Sequence, residues 1–212
     1  MAYSSLTPNE QKQFTERIAI YGLTPKDIEG KTIVTGEGKP GPLVISPSPE
    51  HSDIEVVRRD VANVAEMKSL GGVPDIHYTR DGVADHHINY PPTPRVNPQQ
   101  ALATAKGDVC ALLEHLGPEN ATHVGAAMHA YLLGDSSKVK AYEPLINALH
   151  FPVTGAIASG DSITVKAGHP LVIKGPGPVA LNYAVMTIEP GGQVIVETEV
   201  TFNIGKLNSN VS

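Results

Sequence analysis

The C-terminal part of the sequence, residues 151–212, is poor in charge and follows the pattern of β-strands. Apolar and β-branched residues alternate there with polar ones between turns rich in Gly and Pro. Its charged side chains number seven, against about fifteen at the usual quarter of positions. They are Asp161, Lys166, Lys174, Glu189, Glu197, Glu199 and Lys206. A sheet with so few charges needs cover for its edges and apolar faces, from helices of the same chain or from another subunit.

Four segments of this region are predicted to be strands: SITVK, PLVIK, PVALNYAVMTIE and QVIVETEVTFNI. In the last of them, apolar and polar side chains alternate from Val194 to Ile204, which is typical of a half-buried antiparallel strand. The preceding Glu189-Pro190-Gly191-Gly192 has the residues of a tight turn, because Pro fixes φ and Gly permits a positive φ. We therefore expect the last two strands to pair as a hairpin.

Residues 1–150 are predicted to be mainly helical, with a short hairpin near residues 31–46. At the N-terminus, Thr7, Pro8 and Glu10 occupy the N-cap, N1 and N3 positions of a capping box. This arrangement predicts that the first helix begins at Pro8.

A second helix is predicted from Ser52 to Leu70, because apolar residues recur there at intervals of three or four positions. Further helices are predicted at residues 97–117, 120–133 and 138–149. Together these patterns predict an α+β fold, in which a helical N-terminal section packs on a C-terminal antiparallel β-sheet or small β-sandwich. The β section, residues 151–212, forms either a separate domain or one domain with the first section.

The charge balance and the cysteine count exclude several classes of protein. Sixteen Lys and Arg against 22 Asp and Glu give a formal net charge of −6, and the basic residues are scattered apart from Arg58-Arg59. This distribution predicts no nucleic-acid binding, which needs clustered positive charge. Cys110 is the single cysteine, so an intrachain disulfide and a Cys-type zinc site are excluded.

No run of 18 apolar residues occurs, and no basic segment followed by an apolar stretch opens the sequence. We therefore expect no transmembrane segment. The protein is expected to be cytoplasmic, or exported without a conventional signal peptide.

The stretch DIHYTRDGVADHHINYPPTP, residues 75–94, contains the side-chain types of a transition-metal site. Imidazoles and carboxylates are the ligands that zinc, iron and manganese take in proteins. The candidate ligands are His77, Asp81, Asp85, His86 and His87, and the cofactor would be a divalent transition metal.

Spacing narrows this set of ligands. In a strand, the adjacent His86 and His87 point to opposite faces, so at most one of them can join His77 at a single ion. The carboxylate would come from Asp81 or Asp85.

The stretch lies in a loop rich in His and Asp, residues 71–97, which is about 26 residues long and exceeds most connections in compact domains. Its length favours a role for the loop. Three roles remain open: a structural loop whose Asp and His side chains bond one another, a metal site, and a pH-responsive histidine cluster.

The sequence contains neither a His-Glu-x-x-His motif nor a Gly-x-Ser-x-Gly motif. The leading hypothesis is a non-catalytic binding or structural protein. It would form a homo-oligomer, or contact a protein partner, through the charge-poor C-terminal sheet. One alternative is a metal-dependent enzyme, an oxygenase or hydrolase, that uses the loop at residues 75–90. Another alternative is a lectin-like binding module built on the sheet.

Overall fold

The computed structural model describes residues 2–38 and 40–209 of the chain. The chain divides into two compact units, of which the first combines the residues up to Asp60 with those from Thr154 onward. The second unit is Val61–Val153. The boundary predicted near residue 150 lies close to the end of the second unit, whereas the first sixty residues belong with the C-terminal strands.

The strands form two sheets, A and B, in an α/β arrangement. Sheet A has the order β1-β4-β6-β8, with β3 beside β4, and sheet B has the order β2-β5-β7. The strands are β1 (Thr32–Val34), β2 (Leu43–Ile45), β3 (Val57–Val61), β4 (Val153–Val165), β5 (Leu171–Ile173), β6 (Val179–Ile188), β7 (Val194–Val196) and β8 (Val200–Ser209). Each strand pairs in parallel with its neighbours in the order β1-β4-β6-β8 and in the order β2-β5-β7.

From β4 onward, consecutive strands alternate between the two sheets. The chain passes from β4 in sheet A to β5 in sheet B, then to β6 in sheet A, β7 in sheet B and β8 in sheet A. Val179 of β6 consequently lies beside Val200 of β8, one coil later in the sequence. The backbone therefore winds in successive coils, as in a parallel β-solenoid, and each coil contacts the coils before and after it.

The prediction of an antiparallel C-terminal sheet was wrong. The turn at Glu189 to Gly192 is present, with the Gly192 N–H donating to the Glu189 carbonyl at 2.8 Å and Gly191 at a φ of +80°. However, this turn leads from sheet A into sheet B instead of returning beside β6. The predicted last strand is two strands, β7 and β8, which lie in different sheets.

The hairpin predicted near residues 31–46 was also wrong. Strand β1 pairs with β4, through Ile33 beside Ile163, whereas β2 pairs with β5, through Val44 beside Val172. These two short strands therefore form the first coil of the solenoid, one strand in each sheet.

The core of the first unit lies between the two sheets. Buried side chains from sheet A, such as Leu181 and Met186, share one cluster with Ile45 and Ile173 from sheet B. All residues of β6 from Val179 to Met186 are buried. Such near-continuous burial is typical of parallel strands that are covered on both faces, which accounts for the low charge of this region.

The predicted first helix is confirmed as α1 (Pro8–Ala19), and α2 (Pro25–Ile28) follows it. Thr7 caps α1, and its backbone N–H donates to the Glu10 carboxylate at 2.7 Å. Phe14 and Ile18 of α1 pack with Ala184 and Val185 of β6 in a second cluster, so α1 covers part of sheet A.

The second unit is helical, with α3 (Val64–Gly71), α4 (Ile76–Thr79), α5 (Pro98–Ala105), α6 (Val109–Leu133) and α7 (Glu143–His150). A 3₁₀ segment, Ser136–Tyr142, joins α6 to α7. Gly117, at a φ of +71°, interrupts α6 at the predicted helix end. The single helix predicted from Ser52 to Leu70 was wrong, because β3 occupies its middle and α3 its end.

Asp161 fixes the N-terminal segment to β4. Its side chain is buried, and its carboxylate accepts hydrogen bonds from the backbone N–H groups of Ala2, at 2.9 Å, and Tyr3, at 2.7 Å. Three residues later, Leu6 enters the cluster that holds α1 on the sheet. A carboxylate can satisfy both donors at once, whereas a carboxamide has one acceptor oxygen.

We expect Asp161→Asn to lower the free energy of unfolding by about 1–3 kcal/mol, because one partly buried N–H then faces an amide donor. Chemical denaturation measures this change. The matched control is Asp108→Asn, at an exposed carboxylate that also accepts two backbone N–H groups, those of Cys110 and Ala111. This control is expected to be nearly neutral, since Asn caps helices as well as Asp does. Equal losses of unfolding free energy in the two variants would contradict the role of Asp161 in fixing the N-terminal segment to β4.

Candidate functional site

The His- and Asp-rich loop brings together one pair of the predicted metal ligands, His77 and Asp81. His77 lies in α4, and its Nδ1 is 3.4 Å from an Asp81 carboxylate oxygen. Asp81 also accepts a hydrogen bond from Arg80 Nε at 2.9 Å. The Asp81 carboxylate is therefore already paired with two groups of its own short segment.

Asp85 is paired with a different part of the second unit. Its carboxylate accepts hydrogen bonds from the Tyr90 hydroxyl, at 2.7 Å, and from Lys138 of the 3₁₀ segment. The Tyr90 oxygen in turn accepts the backbone N–H of Asp135 at 2.8 Å, and Lys138 Nζ lies 4.8 Å from the centre of the Tyr90 ring. These contacts tie the middle of the loop to the residues that follow α6.

The ionisation of these groups reflects their pairing. Lys138, and then the Tyr90 hydroxyl, hold the pKa of Asp85 below its usual value, since both donate to the charged carboxylate. Burial, together with the hydrogen bond to Asp85, raises the pKa of Tyr90 to about 12. Asp85 is thus an ion-pair partner that stays charged at neutral pH.

A second set of contacts fixes the beginning of the loop, at Asp75, to the turn that follows α6. Asp75 accepts hydrogen bonds from the backbone N–H of Ser136, at 2.9 Å, and from its hydroxyl, at 2.7 Å. Lys68 lies 3.0 Å from the same carboxylate and donates to the carbonyls of Tyr131 and Gly134. The loop is therefore anchored at both Asp75 and Asp85 to one turn of the chain.

The two adjacent histidines do not join the pair formed by His77 and Asp81. The rings of His86 and His87 contact each other edge to face, with their centres 5.9 Å apart. Within residues 2–38 and 40–209, no three His, Cys, Asp or Glu side chains are arranged to hold one ion. The described residues thus bring together two of the predicted ligands, His77 and Asp81, and supply no third ligand beside them. Metal binding at this pair stays a prediction.

A cavity of about 300 Å³ lies beside the loop, and it contains a histidine that the sequence analysis did not select. Its lining residues are His87, Ile88, Asn89, Ala126, His129, Ala130 and Leu133. His129 comes from α6 and His87 from the loop, which are more than forty positions apart in the sequence. Helical spacing indicates only which residues of the same helix lie on one face with His129. No pattern in the sequence therefore placed His129 near His87.

Among the residues that the structure describes, none covers the core between the sheets fully at the last coil of the solenoid. Parallel strands in register stack equivalent side chains on the same face. Phe202 of β8 lies beside Leu181, Leu207 lies beside Met186, and Val196 of β7 lies beside Ile173. These three inner neighbours all belong to the core cluster and are at most 3% exposed.

The outer members of these pairs are much more exposed, at 41% for Phe202, 56% for Leu207 and 46% for Val196. They continue core columns that end at β7 and β8, the last strands of sheets B and A. We call this surface, formed by Val196, Phe202 and Leu207, the open end. The terminal coils of solenoids are usually polar or covered, whereas the open end is apolar and exposed.

No known protein family matches the sequence, and no curated protein or solved structure matches the chain. In the part of the chain that the structure describes, every helix is too short or too polar to cross a membrane.

We expect Asp85→Asn to destabilise the protein at pH 7 and to have a smaller effect below pH 4. The pKa of Asp85 is lower in the folded protein than in the unfolded chain. The stabilisation that the charged Asp85 gives is therefore complete above the pKa of the unfolded chain, and it is lost as the pH falls through the pKa of the folded protein. Urea unfolding midpoints of both proteins at pH 7 and pH 3 measure the difference.

The control for this experiment is Asp81→Asn, since the ion pairs of Asp81 are with His77 and Arg80 of the same segment. It is expected to change the midpoint little at pH 7, because exposed local pairs contribute little. A loss for Asp85→Asn that is as large at pH 3 as at pH 7 would contradict the ion-pair account.

Proposed function

We propose that the protein is a non-catalytic structural or binding protein that associates with other copies of itself through the open end of its solenoid. The observation that carries this proposal is the exposure of Val196, Phe202 and Leu207, although their stacked neighbours are buried in the core. The association would complete the core.

The size of the apolar surface indicates what kind of contact is needed. Full burial of one such side chain contributes about 1.5–3 kcal/mol, so completing the burial of three half-exposed ones contributes on the order of 3 kcal/mol. Association itself costs about 4–15 kcal/mol in lost translational and rotational freedom. The apolar contacts alone are therefore insufficient, and backbone pairing along a terminal strand must add to them.

Strand β8 is suited to supply that pairing. It is ten residues long, it is the last strand of sheet A, and Lys206 is its single charged residue. Long terminal strands with few charges are the sites at which proteins take up a strand from another chain.

We expect Phe202→Lys to weaken self-association by at least about 30-fold, the equivalent of about 2 kcal/mol for an anchor residue at an interface. Sedimentation equilibrium over a range of protein concentrations measures the association constant. The stability of the separate chain should change by less than about 1 kcal/mol, because Phe202 is half exposed in it.

The matched control is Leu113→Lys, which changes a side chain of nearly equal exposure, 42%, in α6 of the helical unit. It is expected to leave the association constant unchanged. A wild-type protein that sediments as a single chain of 22.4 kDa at millimolar concentration would overturn the proposal. Equal effects of the two substitutions would overturn it as well.

A further inference from the structure

We infer that the cavity beside the His- and Asp-rich loop binds a small carboxylic acid with an apolar body. This cavity belongs to the second unit and has a volume of about 300 Å³, between α6 and residues 87–89 of the loop. Its volume is at the lower end of the range for small-molecule sites, so the ligand must be small. The inference goes beyond the proposed self-association, which uses the first unit.

The apolar part of the lining comes from one face of α6 and from the loop. Ala126 and Ala130 are about one helical turn apart, and Leu133 follows Ala130 by three positions, so the three lie on one face of α6. Ile88 of the loop completes this apolar lining. The two alanines have short side chains and leave space above the helix. An apolar body such as a phenyl ring can occupy that space.

Contacts within the second unit hold the loop wall of the cavity. The backbone N–H of Ile88 donates to the Asp85 carbonyl at 2.8 Å, and the Tyr90 hydroxyl donates to the Asp85 carboxylate at 2.7 Å. Gly134, directly after α6, permits this approach, because a Cβ there would collide with the Tyr90 hydroxyl and lie 2.9 Å from Ile88 Cγ2. The wall is therefore fixed in advance, which lowers the entropic cost of binding a ligand.

The polar part of the lining consists of the side chains of His87, Asn89 and His129. In the part of the chain that the structure describes, none of these three side chains has a hydrogen-bond partner within the protein. An imidazole and a carboxamide can each donate an N–H. Three donors around one cavity match a ligand head group that accepts hydrogen bonds.

The charges around the cavity favour an anionic head group over a cationic one. Among the described residues, no Asp or Glu lines the cavity. Asp85, two positions before His87, is paired with Lys138. An imidazole can take up a positive charge, which would strengthen its bond to a carboxylate. An ammonium group would instead lose its hydration without meeting an acidic partner.

The C-terminal end of α6 lies close to the cavity, and unsatisfied carbonyls at such an end would repel an anion. These carbonyls have donors of their own. Lys68 Nζ donates to the Tyr131 carbonyl at 2.7 Å and to the Gly134 carbonyl at 2.8 Å. The Tyr78 hydroxyl donates to the carbonyl of Leu133. One of these donors is a cation, so the helix end does not oppose a carboxylate.

Titration with sodium benzoate, followed by NMR of the histidine ring protons, tests the site. Benzoate combines a carboxylate with a phenyl ring. We expect the signals of His87 and His129 to move in a saturable way, with a Kd on the order of 1 mM for a ligand this small. The signal of His115, an exposed residue in the first half of α6, should stay in place.

Substitutions locate the binding to this cavity. His129→Ala is expected to weaken benzoate binding by at least about tenfold, because a hydrogen bond to a charged carboxylate is lost. The matched control, His115→Ala, should leave the Kd unchanged. A second variant, Ala126→Leu, fills the cavity but keeps the three polar side chains, and it should abolish binding. His129 is exposed, so its replacement keeps the fold and decides the question even where Ala126→Leu fails to fold.

Two further ligands test the two parts of the proposed ligand. Sodium acetate has the carboxylate without the ring, and benzyl alcohol has the ring without the charge. Each should bind at least about tenfold more weakly than benzoate. Equal binding of benzyl alcohol would overturn the carboxylate specificity, and equal binding of acetate would overturn the apolar body.

The binding site itself is overturned by either of two results. One is that the signals of His87 and His129 do not move up to about 20 mM benzoate, where a site with a Kd of about 1 mM is nearly saturated. The other is an equal loss of binding in His129→Ala and His115→Ala. Both results would leave the proposed self-association standing, because its test uses sedimentation and a residue of the first unit.

Discussion

The stacking of one coil on the next is the interaction on which the first unit depends. Each coil buries its apolar side chains between sheets A and B, and it does so with the equivalent side chains of the neighbouring coils. Ile163, Met186 and Leu207 form one such column across three strands, and only the outermost member is exposed. The same interaction that stabilises the interior therefore leaves apolar side chains exposed at the end, and the self-association that we propose would cover them.

Some turns and strands could be predicted from the sequence, because their signals are local, but β3 was assigned to a helix, and β7 and β8 were assigned to a single strand. The turn at Glu189 to Gly192 forms as its residues indicate. Whether the chain then returns along the same sheet or enters the other one depends on packing between residues far apart in the sequence. The mainly apolar sequence of β6, in which Asn182 interrupts the run from Val179 to Met186, was a local sign of a parallel strand covered on both faces. The alternation from Val194 to Ile204 concealed the corner between β7 and β8.

The loop rich in His and Asp shows a second limit of sequence reasoning. The loop and its candidate ligands could be located by composition, but the partners of its carboxylates lie elsewhere in the chain. Asp75 and Asp85 are held by Ser136 and Lys138, in a turn whose sequence carries no recognisable motif. Two of the loop's acidic side chains are thereby used to anchor a long connection, and the geometry favours a structural role for them.

Hydrogen–deuterium exchange of residues 200–209, measured at low and high protein concentration, tests the central claim most directly. If β8 takes up a strand from another chain, its backbone amides should exchange more slowly as the concentration rises. The amides of β6, already paired on both sides, should exchange at the same rate at each concentration. Exchange in β8 that does not change with concentration, in a chain that remains a monomer, would contradict the account.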